Sequence, residues 1–143
     1  MKCTIVIDPK REEEVIVHAH CHSRFTEAIK ALADDEAAEL VGYNEREGRR
    51  LSPDEIYCFT VENERVYAVC ENEKLRMKQR LYQLEETLSH AFVRINQSCM
   101  VNLGKISRFD TAISGTLRVT LKNGFTDFVS RRQLKQVKER LGL

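Results

Sequence analysis

Three histidines at alternate positions, His18, His20 and His22, form the densest group of metal-capable side chains in the chain. In an extended strand such residues share a face, so three imidazoles would project together and could bind zinc or copper. The second ligand pair that usually completes a zinc pattern is missing. The same residues read more simply as the polar face of a strand whose Val15, Val17, Ala19 and Cys21 point inward. The five cysteines (Cys3, Cys21, Cys58, Cys70 and Cys99) are odd in number, widely spaced and free of any C-x-x-C pair. They read as reduced thiols rather than a disulfide framework, with Cys58, Cys70 and Cys99 serving as small buried hydrophobes. No nucleophile elbow, phosphate-binding loop, dinucleotide fingerprint or H-E-x-x-H motif is present. The carboxylates mostly lie in charge runs. Nothing argues for an enzyme, and no cofactor is expected.

The distribution of charge is more telling than its total. The chain carries +1 overall, but residues 1–90 hold 13 basic against 19 acidic residues, a net of −6. Residues 91–143 hold 10 against 3, a net of +7. Such asymmetry points to a polyanion-binding end, though a charge run alone is also what a solvated face looks like. Hydrophobic residues make up 42% of the 143 and charged ones 31%, enough apolar material for a packed core. No apolar run approaches the roughly 20 residues that span a bilayer. The apolar stretch near the N-terminus is too short for a signal peptide, so a cytoplasmic location is expected.

The elements that must position these groups can be read along the chain. Residues 2–7 (KCTIVI) and 14–21 (EVIVHAHC) predict two strands around a turn at Pro9. Ser23 is a plausible N-cap for a helix carrying Phe25, Ala28, Ile29 and Leu32 at helical spacing and ending in Asp34, Asp35 and Glu36. Residues 1–37 thus form a ββα extension, too small to be very stable alone. Residues 39–44 predict a strand and residues 45–50 a charged turn around Gly48. Residues 55–61 and 65–70 predict a hairpin across Glu62, Asn63 and Glu64. Residues 74–88 predict a helix, because Met77, Leu81, Leu84 and Leu88 follow a 4, 3, 4 spacing. Short strands are expected at 92–95, 100–103 and 106–109. Residues 116–121 and 125–129 predict a hairpin through Lys122-Asn123-Gly124. A last helix, capped by Ser130, buries Leu134, Val137 and Leu141. The fold class is α+β and mostly β, with short helices.

The ordered motifs of the C-terminal half carry a sharper signal. Phe92-Val93-Arg94-Ile95-Asn96-Gln97-Ser98-Cys99-Met100-Val101-Asn102 runs into Leu103-Gly104-Lys105-Ile106. Asn123-Gly124 follows, then Val129-Ser130-Arg131-Arg132. This series resembles the LytTR family of DNA-binding domains, with its F-x-R-x-x-x-S-x-x-V-N-x-x-x-I block, a strand ending in N-G and a V-S-R start to the last helix. The likeness covers about residues 38–143. It implies a β-rich fold that reads the major groove of double-stranded DNA with loops, as a sequence-specific transcription regulator. Carried over by the motifs, Gln97 is a base reader with Asn96 beside it, and Arg132 is another, flanked by Arg131. An early-hairpin reader falls near Glu64 and Arg65; Arg65 is the better candidate, since a carboxylate repels phosphate. Arginine can pair bidentately with guanine, and glutamine or asparagine with adenine. Arg94, Lys105, Arg108, Lys135 and Lys138 could neutralise phosphates, with hydroxyls from Ser98 and Ser130. Arg94 stays open between a phosphate and an ion pair with Glu85 or Glu86. Val101 and Asn102 read as structural, a strand-end Asn often closing a turn.

Many LytTR proteins carry an N-terminal receiver domain of about 120 residues. The segment of about 38 residues in front of this domain is too short for one, so phosphorylation control is not expected from it. The resemblance implies promoter DNA with paired repeats as partner and a homodimer on that DNA. It also implies a small membrane protein as a candidate inhibitor, with residues 1–37 as the place for dimerisation or docking. Two alternatives remain: a protein-interaction or ligand-sensing module whose DNA surface is vestigial, and a metal-dependent enzyme or sensor using the histidines.

Overall fold

The computed structural model describes residues 1–33 and 40–143, so the acidic cluster Asp34, Asp35 and Glu36 lies outside the described residues. The chain divides into two compact units, Met1–Ala37 and Ala38–Leu143.

In the first unit, helix α1 (Arg24–Ala33) forms as expected. Ser23 starts it. The Thr26 amide donates to Ser23 Oγ at 3.3 Å and the Ser23 amide donates to Thr26 Oγ1 at 2.9 Å, a reciprocal cap that satisfies two end amides. The two expected strands do not form: residues 2–7 and 14–21 adopt no ladder. Only the turn between them is present, with the Arg11 amide donating to the Asp8 carbonyl. The alternating sequence is right for strands, but a two-stranded hairpin is marginal in water unless its face is buried. Its side chains stay in solvent, with Ile5 and Val6 81% and Ile16 66% exposed.

In the second unit the same kind of sequence finds neighbours. Strands β1 (Leu40–Tyr43), β2 (Gly48–Leu51), β3 (Cys58–Glu62), β4 (Arg65–Val69), β5 (Lys74–Met77), β6 (Phe92–Asn96) and β7 (Cys99–Asn102) form one antiparallel sheet in the order β2-β1-β5-β4-β3-β7-β6. Strands β8 (Ile106–Thr111), β9 (Leu117–Leu121) and β10 (Thr126–Phe128) form a second sheet in the order β10-β9-β8. Helix α2 (Leu81–Thr87) and helix α3 (Leu134–Leu141) complete the unit.

Two assignments change. Residues 74–77, expected as the start of a helix, are strand β5; residues 48–50, expected within a charged turn, begin strand β2. The first error has a clear cause. Met77 fits the helical spacing of Leu81, Leu84 and Leu88, but Leu75 and Met77 are buried while Lys74 and Arg76 are exposed, a period of two. That period lets β5 pair with β4 on one side and β1 on the other. Gly42 permits the second pairing: a Cβ there would lie 2.6 Å from Leu75 Cβ. In β2 one buried leucine, Leu51, follows Gly48, Arg49 and Arg50, too little apolar pattern to announce a strand.

The central strands feed two cores. Phe59, Phe92 and Met100 join Leu40, Leu75, Leu81, Leu84 and Leu88 in one cluster, with the Phe59 and Phe92 rings 5.2 Å apart. Cys58, Val93, Ile95, Cys99 and Val101 join Leu117, Val119, Leu121 and Val137 in the other. Continuous apolar runs such as Cys99-Met100-Val101 therefore mark strands buried on both faces. Burial raises the Cys70 thiol above its ordinary value. Cys99 is raised as well, by its neighbour Cys58 first and by burial second. Asn102, buried at the end of β7, donates from Nδ2 to the carbonyls of Pro53 and Ile56 and accepts from the Gly104 amide. It is structural, as the motif reading expects.

Candidate nucleic-acid interface

Three connections present the candidate readers, and each is built differently. The first is the tip between β3 and β4. Glu62 pairs with Arg65, leaving a two-residue turn, Asn63-Glu64, with φ of 50° and 63°. This is the twist that antiparallel hairpins favour. Asparagine tolerates left-handed backbone; glutamate does so with strain. Arg65 is exposed at the first position of β4.

The second is the β6–β7 connection. Strand β6 loses register between Arg94 and Asn96, a bulge at the sheet edge that re-aims the side chains beyond it. Gln97 and Ser98 emerge from it exposed. Arg94 does not. Its Nε donates to the Asn96 carbonyl at 3.1 Å, Nη2 to the Gln97 carbonyl at 2.7 Å and Nη1 to Glu85 Oε2 at 3.1 Å. Asn96 is half-buried, and both of its bonds from Nδ2 go to β10: Asp127 Oδ2 and the Phe128 carbonyl, each at 3.0 Å. Its Oδ1 accepts from the Ser98 amide. Of the pair expected as readers in this loop, Gln97 has a free side chain, whereas Asn96 could meet a base only by giving up these bonds. One of the two roles left open for Arg94, an ion pair with Glu85, is present.

The third is the β10–α3 connection. The Ser130 amide donates to the Ile95 carbonyl at 2.8 Å, and its carbonyl accepts from the Gln133 amide. Ser130 therefore opens a turn over residues 131–133, and Gln133, not Ser130, occupies the cap position of α3. Arg131 and Arg132 are exposed on this turn. Among the described residues, the side chains of Gln97, Arg65, Arg131 and Arg132 make no hydrogen bond or ion pair.

These connections meet in two adjoining grooves. A groove of about 640 Å³ is bordered by Glu64, Arg80, Tyr82, Arg94, Gln97 and Ser98. A second, of about 560 Å³, is bordered by Arg94, Gln97, Ser130, Arg132 and Gln133. Gln97 stands between them and brings the hairpin tip and the start of α3 to one surface. Arg65 borders neither groove. Of the phosphate candidates, Lys135 and Lys138 are exposed on α3 and Arg108 on β8. Lys105 is half-buried, with Nζ 5.0 Å from the centre of the Tyr57 ring. His18, His20 and His22 belong to the first unit and are exposed. The described residues contain no group of three or more His, Cys, Asp or Glu placed to hold a metal ion. Sequence reasoning missed Asp127. Its partner Asn96 is 31 residues away, and no local pattern links the two.

The family model of the LytTr DNA-binding domain matches residues 47–142. The chain is 35% identical to an uncharacterized HTH-type transcriptional regulator of Staphylococcus aureus strain MSSA476, and 34% identical to another from strain NCTC 8325 / PS 47. Each likeness covers 100% of this chain and 99% of the relative. Among solved structures, the LytTr DNA-binding domain of a protein from Bacillus cereus has a similar fold. It superposes with a TM-score of 0.70 at 17% identity, over 75% of this chain and 100% of that one. Five strands separate α1 from α2 and five separate α2 from α3, so no helix-turn-helix exists among the described residues, whatever the relatives' names say. No helix among them is long and apolar enough to cross a membrane. The chain belongs to the LytTR family and is a DNA-binding transcription regulator.

Proposed function

We propose that this protein reads promoter DNA in the major groove, with Gln97 from the β6–β7 connection and Arg132 from the β10–α3 connection as principal base contacts. The carrying observation is that both side chains are exposed, unpartnered among the described residues and on the border of one groove. Arg131 and Arg65 flank them as secondary readers. Ser98, Ser130, Lys105, Arg108, Lys135 and Lys138 supply phosphate contacts. Selection of bound duplexes from a random pool tests the reading. Arg132→Ala should cost about 1–3 kcal/mol of discrimination at one base position. Lys138→Ala should weaken all sequences alike and make the salt slope shallower by about 0.9. Intact affinity and preference in Arg132→Ala would remove that residue from the reading surface. No duplex binding even at low salt would favour an interaction or sensing module instead.

Binding as a homodimer on paired repeats is the second part of the proposal. Support comes from the first unit, where Ile5, Val6, Ile7, Val15 and Ile16 are exposed, a surface that a second copy could cover. Deleting residues 1–37 should lower the mass in solution and the affinity for paired repeats. If both are unchanged, the dimer does not depend on this segment. If only mass is unchanged, a different partner, such as a membrane protein, becomes the better occupant.

A further inference from the structure

We propose that Arg94 and Asn96 are positioning residues: a brace that holds the two reading connections at one fixed spacing without touching DNA. The inference rests on the reading of Gln97 and Arg132 given above. Gln97 sits just beyond a bulge in an edge strand, where backbone is ordinarily loose. Here its own carbonyl and the backbone of Asn96 and Ser98 on either side are held by hydrogen bonds. Arg94 grips the carbonyls of Asn96 and Gln97, and is itself anchored to Glu85 on α2. Asn96 reaches across to Asp127 and to the Phe128 carbonyl on β10. The Ser130 amide returns the link to the Ile95 carbonyl. The Ser98 carbonyl accepts from the Val61 amide, tying the connection to β3.

One continuous chain of bonds therefore runs from α2 through the Gln97 loop to the strand that delivers Arg132. Arg94 is poorly placed to meet phosphate. Its side chain is 19% exposed and its outer nitrogens are occupied by Glu85 and a carbonyl. Two readers on separate connections discriminate well only if their separation is set before DNA arrives; ordering them during binding would consume affinity.

The test uses the full chain and two probes: the duplex it recovers from a random pool, and a duplex of the same composition in scrambled order. Arg94→Gln and Asn96→Ala should reduce the preference for the selected duplex by about tenfold to a hundredfold. Affinity for the scrambled duplex and the salt slope should stay unchanged. The Ser98 and Ser130 amides should exchange faster with solvent. Arg94→Lys should keep the salt slope but not the preference, because an ammonium lacks the planar fork that spans two carbonyls and a carboxylate. Glu85→Gln, a change on the α2 surface that leaves the core intact, should move preference and exchange in the same direction by less.

A uniform loss on both duplexes in Arg94→Gln, with a salt slope shallower by about 0.9, would make Arg94 a phosphate contact and overturn the brace. Full preference in Arg94→Lys, or unchanged exchange in Asn96→Ala, would also overturn it. A wild-type protein that recovers no preferred duplex would instead overturn the reading surface, and the exchange rates would still judge the brace.

Discussion

Residues 14–21 and residues 117–121 are written alike, β-branched and alternating, yet only the second becomes a strand. The difference lies in what stands beside them. Strand β9 has β8 and β10 as partners and buries Leu117, Val119 and Leu121. Among the described residues of the first unit, the alternating segments join no ladder and stay exposed. A strand pattern is a request for a neighbour. The C-terminal unit answers it within the chain; among the described residues of the N-terminal unit it goes unanswered.

Four substitutions would break or sharpen this contrast. Phe59→Ala, in the cluster between the large sheet and α2, should destabilise the second unit by about 3–5 kcal/mol in urea unfolding. A smaller loss would mean that the sheet is less tightly closed than its burial implies. Gly42→Ala should cost about 1–3 kcal/mol by forcing β1 away from β5; an unchanged midpoint would show that the pairing is slack. Ile16→Ser, in the exposed segment, should alter the stability of the monomer by no more than about 0.5 kcal/mol. A larger loss that grows with protein concentration would show a second copy covering the segment. The smallest effect belongs to Asp110, whose carboxyl is held below its ordinary range by Arg118 across β8 and β9. A carboxylate depressed in the folded state contributes stability above the unfolded pKa and loses it as pH falls through the folded one. Asp110→Asn should therefore flatten the pH dependence only slightly, and only below about pH 4.

How much could be read in advance follows the same logic. The ordered motif pointed to Gln97 and Arg132, and both stand exposed on one groove, because their placement is fixed by strands and turns whose signals are local. The Asn123-Gly124 hairpin was legible for that reason: Gly124 takes φ of 88°, which glycine alone adopts without strain. Strand β5 was not legible, since a four-residue segment with two buried side chains satisfies a helical and an extended period at once. Nor were the tasks of Arg94 and Asn96. They are polar residues beside Gln97, and their type and position suit contact with DNA. Only Glu85 and Asp127, brought up from other elements, turn them inward.

Asn102 has a consequence for the order in which the molecule assembles. Its amide closes contacts with carbonyls 46 and 49 residues earlier in the chain, at the end of the strand that pairs with β3. The β3–β4 and β4–β5 ladders need only neighbouring sequence and can form early. The β3–β7 ladder must wait for a long loop to close, and contacts of that span slow folding. The surface carrying Gln97 therefore depends on a ladder that closes only when Asn102 is drawn back to Pro53 and Ile56. The surface proposed to read DNA is thus closed by some of the longest-range contacts of the fold.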